Sequence, residues 1–367
     1  MTRTPLLRPT LIPGLTRLWR DRNTLQLGLD PTRAVLLEVA DPAAARILDL
    51  LDGTRSERDI LDHADRIKVA REHVRALLDS LRDAGLVVPA QTLLPTTLAE
   101  PARRRLGAEA AALALRRANS PGVPAQILRR RAAAKVVVTG RGRLAAPVAV
   151  GLAQAGVGHV HPDLSGRVVP TDLVGSGLAA ADIRRPRAEA VAEAITRSAP
   201  GTETRPVPRG RADLVIQVGM DRPAGLAAAA YAQRRQAHLL LGMRDGILVI
   251  GPLVPADGTP CLNCLDLHRQ DRDPAWPRLA AQLATTPAEE PCEAATLLSA
   301  TGYAVGAALA YLDGGEPELV GAAVEVVSPS RTRRRVWLPH PACDCVRRRR
   351  RASMTGADPA AGESYVT

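Results

Sequence analysis

The sequence of 367 residues contains no phenylalanine, and aromatic residues make up only 2% of it. Hydrophobic residues still account for 46%, so a sizeable core can form from leucine, valine, isoleucine and alanine. The net charge of +11 could indicate a nucleic-acid or acidic partner. Part of the excess is a run of arginines at 347–351 with no interleaved aromatic residues for base stacking, so nucleic-acid binding is not expected.

Long apolar runs are also missing. Since no stretch of 18 or more uncharged apolar residues occurs, we expect no transmembrane helix. The N-terminus has no uninterrupted apolar core before a small-residue cleavage site and does not resemble a signal peptide. The five cysteines all follow residue 260 and are odd in number, which is untypical of a secreted disulfide framework. These features predict a cytoplasmic protein.

Residues 1–90 are predicted to form a small α+β module of the winged-helix kind. Alternating stretches near 18–29 and 34–39 indicate two strands, and three helices should follow. Ser56 and Asp59 have the spacing of a capping box at the start of the second helix. The third helix, over 71–84, carries one apolar face and ends at a glycine before a strand.

The remainder divides into a linker, a larger domain and a tail. Residues 91–132 are rich in proline, alanine and arginine and are predicted to be a linker, with a helix in its first half. From 133 to 350, strands and helices alternate, which indicates a Rossmann-like α/β domain with a doubly wound, mostly parallel sheet. The polar tail at 351–367 is predicted to be disordered.

Four cysteines form two closely spaced pairs. Cys261 and Cys264 are a C-x-x-C pair, and Cys343 and Cys345 are a C-x-C pair. Four thiolates at such spacing suit a structural Zn²⁺ site, which is tetrahedral and leaves no open position for catalysis. The alternative is two unrelated pairs or redox thiols. Such a zinc element would join the end of the chain to the α/β domain.

Two further residues near these pairs have weaker signals. Cys292 precedes an apolar helix, whose N-terminus could lower the pKa of its thiol, although a small buried residue at a helix start is the plainer interpretation. His340 precedes the C-x-C pair and is interpreted as a neighbour of the metal rather than as a ligand.

A glycine-rich loop follows the first strand of the larger domain. Gly140 and Gly142, with Ala145, give the pattern G-x-G-x-x-A between a strand and a helix. In that context the glycines permit a tight turn and the helix N-terminus can face a phosphate. A glycine turn without any ligand is the open alternative.

With that loop the sequence resembles the ThiF/HesA/MoeB family of adenylating proteins, which have the ubiquitin-activating-enzyme fold. The resemblance runs in consistent order from 135 to 346, through GRGRLAAPVAVGLAQAGVGHV at 140–160, DIRRPRAEA at 182–190, ADLVIQVGMD at 212–221, GTPCLNC at 258–264, PCEAATL at 291–297 and CDC at 343–345. Proteins of this family are commonly dimers, so the resemblance also suggests a homodimer.

The resemblance implies roles for individual residues. Gly140 and Gly142 would approach nucleotide phosphates, Asp163 would bind a ribose, and Asp221 lies near the position of the family's catalytic aspartate. Several groups depart from the family pattern. Arg187 replaces a phosphate-binding lysine, which is not an equivalent exchange. The segment from Asp172 lacks the arginine and glutamine that the family has there. Binding of ATP and Mg²⁺ is therefore in question.

The N-terminal module resembles the PqqD-like winged helix that binds leader peptides of ribosomally made natural products. The segments ILDLLDGTRSERDILDHA at 47–64 and VRALLDSLRDAGLVV at 74–88 carry this likeness. Such domains take up the leader as an added strand. The edge near Leu36, facing the third helix, is the expected peptide site, and Arg71, Arg75 and Arg82 are candidates for contacts with an acidic leader. A generic or DNA-binding winged helix is the alternative.

Together the two resemblances favour a leader-binding scaffold in thiazole/oxazole-modified peptide biosynthesis, which would present the precursor to a separate YcaO-type cyclodehydratase. A second hypothesis is an active adenylyltransferase that uses ATP·Mg²⁺ to activate a carboxylate. A third is a DNA-binding regulator.

Overall fold

The computed structural model describes residues 6–32, 34–39, 42–116, 123–219, 224–256, 258, 260–285 and 290–345. The chain divides into two compact units, 1–130 and 131–367. The tail predicted to be disordered, 351–367, lies outside the described residues, and so does Asp221.

The first unit begins with short strands and helices, namely β1 (Pro9–Leu11), β2 (Arg17–Trp19), β3 (Thr24–Leu27), β4 (Val35–Glu38), a 3₁₀ helix (Pro42–Leu50), α1 (Glu57–Arg66), α2 (Arg71–Asp83) and β5 (Val87–Pro89). Strands β2, β3 and β4 form an antiparallel sheet in that order, and β1 pairs with β5. The sequence predicted two strands where this sheet has three. A turn at Asp21, whose carboxylate accepts the N–H groups of Asn23 and Thr24, divides the first predicted strand.

The capping box and the apolar face of the third predicted helix are confirmed. The Ser56 hydroxyl accepts the Asp59 N–H, and the Asp59 carboxylate accepts the Ser56 N–H. On α2, Val74, Leu78 and Leu81 are fully buried and share a core with the inner face of the three-stranded sheet. The sheet therefore packs its apolar side inward, with β2 and β4 as its edge strands.

The segment predicted to be a linker is largely helical. It contains α3 (Ala90–Leu93), α4 (Glu100–Leu115) and α5 (Pro124–Ala133). The helix predicted in the first half of this segment is present as α4, where Pro101 stands in the first turn and its missing N–H costs nothing. Helix α5 was not predicted. Leu106 and Leu113 of α4 pack with Ile127 and Leu128 of α5 in a small core of their own.

The second unit has the predicted Rossmann-like α/β fold. Its elements are β6 (Lys135–Gly140), α6 (Ala145–Gln154), β7 (His159–Leu164), α7 (Arg187–Ser198), β8 (Leu214–Val218), α8 (Ala224–Gln233), β9 (His238–Arg244), β10 (Ile247–Val254), α9 (Leu262–Arg272), α10 (Trp276–Thr285), α11 (Ala294–Leu312), β11 (Ala322–Ser328) and β12 (Arg331–Val336). The sheet order is β12-β11-β10-β9-β8-β6-β7. Strands β7, β6, β8 and β9 are parallel, whereas β10, β11 and β12 are antiparallel, so the sheet is only partly parallel.

Helix α11 is long and apolar enough to cross a membrane by length and composition, with a mean hydropathy of 1.4. Core helices pass the same test, and Leu297, Ala300 and Ala304 of α11 belong to the buried core of the sheet. A buried ion pair lies near the end of α11, where Asp313 bonds Arg131 at 2.7 Å.

Candidate functional site

The four predicted metal ligands come together at the start of α9. Cys261 caps this helix, Cys264 lies in its first turn, and Cys343 and Cys345 reach it from the segment after β12. All four side chains are buried and their sulfur atoms lie within 4.8 Å of one another. The Sγ atoms of Cys261 and Cys343 are 3.6 Å apart, and those of Cys264 and Cys345 are 3.3 Å apart. A zinc–sulfur distance of about 2.3 Å gives tetrahedral edges of about 3.8 Å, so the cluster is consistent with a zinc site.

Hydrogen bonds and burial shift the pKa values of the thiols in this cluster. A hydrogen bond from the Cys261 thiol lowers the pKa of Cys264 to about 4. The same bond raises the pKa of Cys261, and burial raises the pKa of Cys345 to about 12. A divalent cation would bind the four sulfur atoms as thiolates and displace any remaining thiol protons.

Cys292 takes no part in this cluster. It is half-buried just before α11, and burial raises the pKa of its thiol. This direction is opposite to the lowered pKa that the sequence offered as one possibility. The plainer interpretation, a small buried residue at a helix start, fits the position, but the side chain is only half-buried.

The glycine loop has the shape that the sequence predicted. Gly140 ends β6 with φ of +102°, and a Cβ there would lie 2.2 Å from the Val218 carbonyl oxygen. Gly142 has φ of +140° and precedes the N-terminus of α6. Asp163 lies beside Thr139 across the β6–β7 pairing, and its carboxylate accepts the Thr139 hydroxyl at 3.0 Å. The residues predicted to bind phosphate and ribose therefore lie together at the carboxyl ends of the parallel strands.

An internal carboxylate already lies against this loop. The Glu290 side chain accepts the Arg143 N–H at 2.7 Å, and a Cβ on Gly142 would be 2.9 Å from its Oε1. The Arg143 guanidinium also donates to the Glu290 and Cys292 carbonyl oxygens. A glutamate of the same chain thus accepts the backbone N–H that would otherwise donate to a bound phosphate. Sequence reasoning missed Glu290, because no local pattern shows that residues 147 positions apart meet.

Arg187, like the N–H of Arg143, already bonds a carboxylate of the same chain. Its guanidinium bonds the buried Asp172 carboxylate at 2.9 Å and the Ser165 carbonyl at 2.9 Å. The arginine that stands in place of the family's lysine is therefore held in a nearly buried internal ion pair. Its role in nucleotide binding stays a prediction, as do those of Gly140, Gly142 and Asp163.

A cavity of about 260 Å³ lies beside Glu290 and is lined by β9, β10, α9 and α10. Two tryptophans, Trp276 and Trp337, contribute apolar surface, and Arg244 and Arg269 contribute positive charge. The guanidinium of Arg269 lies 4.8 Å from the Trp276 ring and also pairs with Asp266. Two carboxylates, Asp266 and Glu290, also line the cavity, so its surface combines apolar area with charges of both signs.

The predicted peptide edge is present in the first unit. Strand β4 is the last strand of its sheet, and Leu36 is half exposed. The Val39 N–H bonds the Asn23 carbonyl, and in this register alternate residues 35 and 37 bond β3. The backbone N–H of Leu36 therefore points to the open edge.

The three arginines of α2 differ in their contacts. Arg71 pairs with Asp62 and Asp65, and Arg82 pairs with Asp79. Arg75 is exposed and has no ion pair within the described ranges.

Comparison with known proteins gives a consistent result for both units. The family model "Coenzyme PQQ synthesis protein D (PqqD)" matches residues 39–87. No curated protein sequence matches the chain. The structure resembles that of E. coli MccB with ATP, with a TM-score of 0.60 and 15% identity, covering 92% of this chain and 99% of that one.

Two further solved structures are equally similar. Microcin C7 biosynthetic enzyme MccB in complex with N-formylated MccA has a TM-score of 0.61 and 14% identity, covering 92% of this chain and 99% of that one. PaaA has a TM-score of 0.61 and 15% identity, covering 88% of this chain and 98% of that one. The protein therefore has an MccB-like fold with a PqqD-like segment at its N-terminus.

Proposed function

We propose that this protein is a cytoplasmic, leader-peptide-binding scaffold in the biosynthesis of thiazole/oxazole-modified peptides, and that it presents the precursor to a YcaO-type cyclodehydratase. The PqqD match over 39–87, directly after the open strand β4, is the observation that carries the proposal. A structural Zn²⁺ bound by the four cysteines would hold the chain's end against α9.

The mode of binding follows from the exposed backbone. An extended leader would pair with β4 through the outward N–H and C=O groups of Leu36 and Glu38, and main-chain hydrogen bonds would provide affinity. Arg75 on α2 is available for an acidic side chain of the leader. Its contribution would be small and sensitive to salt, because an exposed ion pair contributes little.

Two contacts support a scaffold rather than an enzyme. Glu290 lies against the glycine loop and Arg187 is paired with Asp172, so ATP would have to displace a carboxylate and recruit a bound arginine. In this proposal a separate enzyme uses the ATP.

The second candidate is an adenylyltransferase that activates a carboxylate with ATP·Mg²⁺. Its support is the likeness to MccB over 92% of this chain, together with the glycine loop and the adjacent cavity. Pyrophosphate exchange in the presence of the precursor separates the candidates: exchange above background favours adenylation, and its absence favours the scaffold.

The scaffold proposal is tested by a search of the neighbouring genes for a short precursor peptide, followed by fluorescence polarisation of its labelled leader. Leu36→Pro removes an outward N–H without breaking a bond to β3, so binding should weaken by roughly 2- to 10-fold, as expected for a hydrogen bond of about 0.5–1.5 kcal/mol. Leu36→Ala keeps the N–H and should bind more tightly than Leu36→Pro. Circular dichroism must show that both variants fold. Equal binding by Leu36→Pro and the wild type would refute pairing at this edge.

A further inference from the structure

A second group of metal-ligand side chains lies near the cysteines, with two members on α9, one and two turns beyond Cys264, and the third in the segment after β12. His268, Asp271 and His340 have ligand atoms within 4.8 Å of one another. The rings of His268 and His340 meet edge to face at 4.8 Å. Two imidazoles and a carboxylate could form a second metal site, or they could serve the first.

The hydrogen bonds of His340 decide between these roles. Its Nδ1 accepts the Ala342 N–H at 3.2 Å, and its Nε2 lies 2.8 Å from the Asp271 carboxylate. A ring nitrogen that accepts a backbone N–H carries no proton, so the proton is on Nε2 and is donated to Asp271. A metal ion on Nε2 would require the opposite tautomer and would break the bond to Ala342.

The backbone of His340 bonds the second cysteine pair. Its carbonyl oxygen accepts the Cys343 N–H at 3.0 Å, which closes the turn that holds the second cysteine pair.

Helix α9 holds this turn from the side of the first pair. Cys264 lies in its first turn, and Asp271 and His268 follow further along the same helix. Asp271 bonds the His340 ring, and the His268 Nε2 lies 2.9 Å from the Leu338 carbonyl oxygen. Helix α9 thus bonds the segment that precedes the second cysteine pair at two points, through Asp271 and His268.

We propose that His340 and Asp271 are positioning residues of the four-cysteine centre, which hold the Cys343–Cys345 turn against α9 in the geometry of a single tetrahedral metal ion. The His340 ring is the link, since it bonds the turn through one nitrogen and the helix through the other. This inference is independent of the proposed function, because it concerns only the affinity for a metal ion.

The test measures Zn²⁺ affinity of the full-length protein by competition with a chromophoric chelator, at a temperature where every variant is folded. His340→Ala removes both ring bonds and Asp271→Ala removes one. His340→Asn keeps an acceptor for the N–H two residues on, as in an Asx turn. Gln270→Ala, an exposed change on the same helix, is the matched control. Co²⁺ spectra report the ligand geometry.

We expect one metal ion per chain in every variant. His340→Ala and Asp271→Ala should weaken Zn²⁺ binding by about 10- to 100-fold, the usual effect of losing an outer partner of a metal site. His340→Asn should recover part of the loss and restore the tetrahedral Co²⁺ spectrum, whereas Gln270→Ala should have no effect. Two metal ions in the wild type and one in His340→Ala would make the histidine a ligand and overturn the proposal. Affinities within twofold of the wild type, or no recovery with asparagine, would also overturn it.

Discussion

The carboxylate of Glu290 offers the sharpest test of the nucleotide site. It accepts the Arg143 N–H at 2.7 Å, beside Gly142. A phosphate that used the same N–H would first have to displace this carboxylate. A hydrogen bond to a charged group contributes about 1.5–3 kcal/mol. At about 1.4 kcal/mol for each factor of ten, Glu290→Ala should raise the affinity for ATP by roughly 10- to 100-fold.

Isothermal titration calorimetry with ATP·Mg²⁺ measures this effect. Glu290→Gln should give an intermediate gain, because the amide oxygen still accepts the N–H but does not repel a phosphate. Glu316→Ala removes an exposed carboxylate after α11 and serves as the control. If Glu290→Ala and the wild type bind ATP equally, the carboxylate does not compete for this loop and the reasoning fails. Tight ATP binding by the wild type would favour the adenylation hypothesis.

Three further predictions concern the metal centre and the core. Cys345→Ser should lose the metal and lower the thermal unfolding temperature, whereas Cys292→Ser should keep the metal; retention by Cys345→Ser in metal analysis would contradict the four-ligand site. Asp313→Ala leaves Arg131 buried without its carboxylate and should cost about 3–5 kcal/mol in denaturant unfolding, with partial recovery when Arg131→Met is added; a cost below about 1 kcal/mol would contradict this. His238 is buried and its pKa is lowered to about 4 by desolvation, so the unfolded state binds more protons between about pH 6.5 and 4. Stability should fall with falling pH in that window by roughly 1.4 kcal/mol per pH unit. His238→Gln should flatten the pH dependence of stability in this window. Identical slopes for the variant and the wild type would show that His238 is not its cause.

Local patterns predicted the parts of the fold that depend on local physics. The capping box at Ser56 and the apolar face of α2 follow from spacing along a single helix, and both are present. The strand, glycine turn and helix around Gly140 follow from backbone sterics. The helix expected in the first half of the predicted linker is present, but α5 was missed, because a proline at a helix start gives the same compositional signal as a proline in a loop.

The direction of the strands after β9 could not be predicted from local sequence patterns. Strands β10, β11 and β12 turn antiparallel, and the pairing of residues far apart in sequence decides this. The third strand of the N-terminal sheet was missed for a related reason, since the turn at Asp21 depends on one carboxylate and two backbone N–H groups.

The sequence by itself determined the ligand chemistry of the cysteine pairs, since thiolate spacing is a local property, and the class of the larger domain, since alternating strands and helices must form a layered sheet. Only the tertiary structure decided that the four sulfur atoms meet, that the His340 ring bonds Asp271 of α9, and that Glu290 lies on the glycine loop. The physical reason is that each of these contacts joins segments about 70 to 150 residues apart. Their approach is set by how helices α9 and α11 pack on the sheet, which no short stretch of sequence encodes.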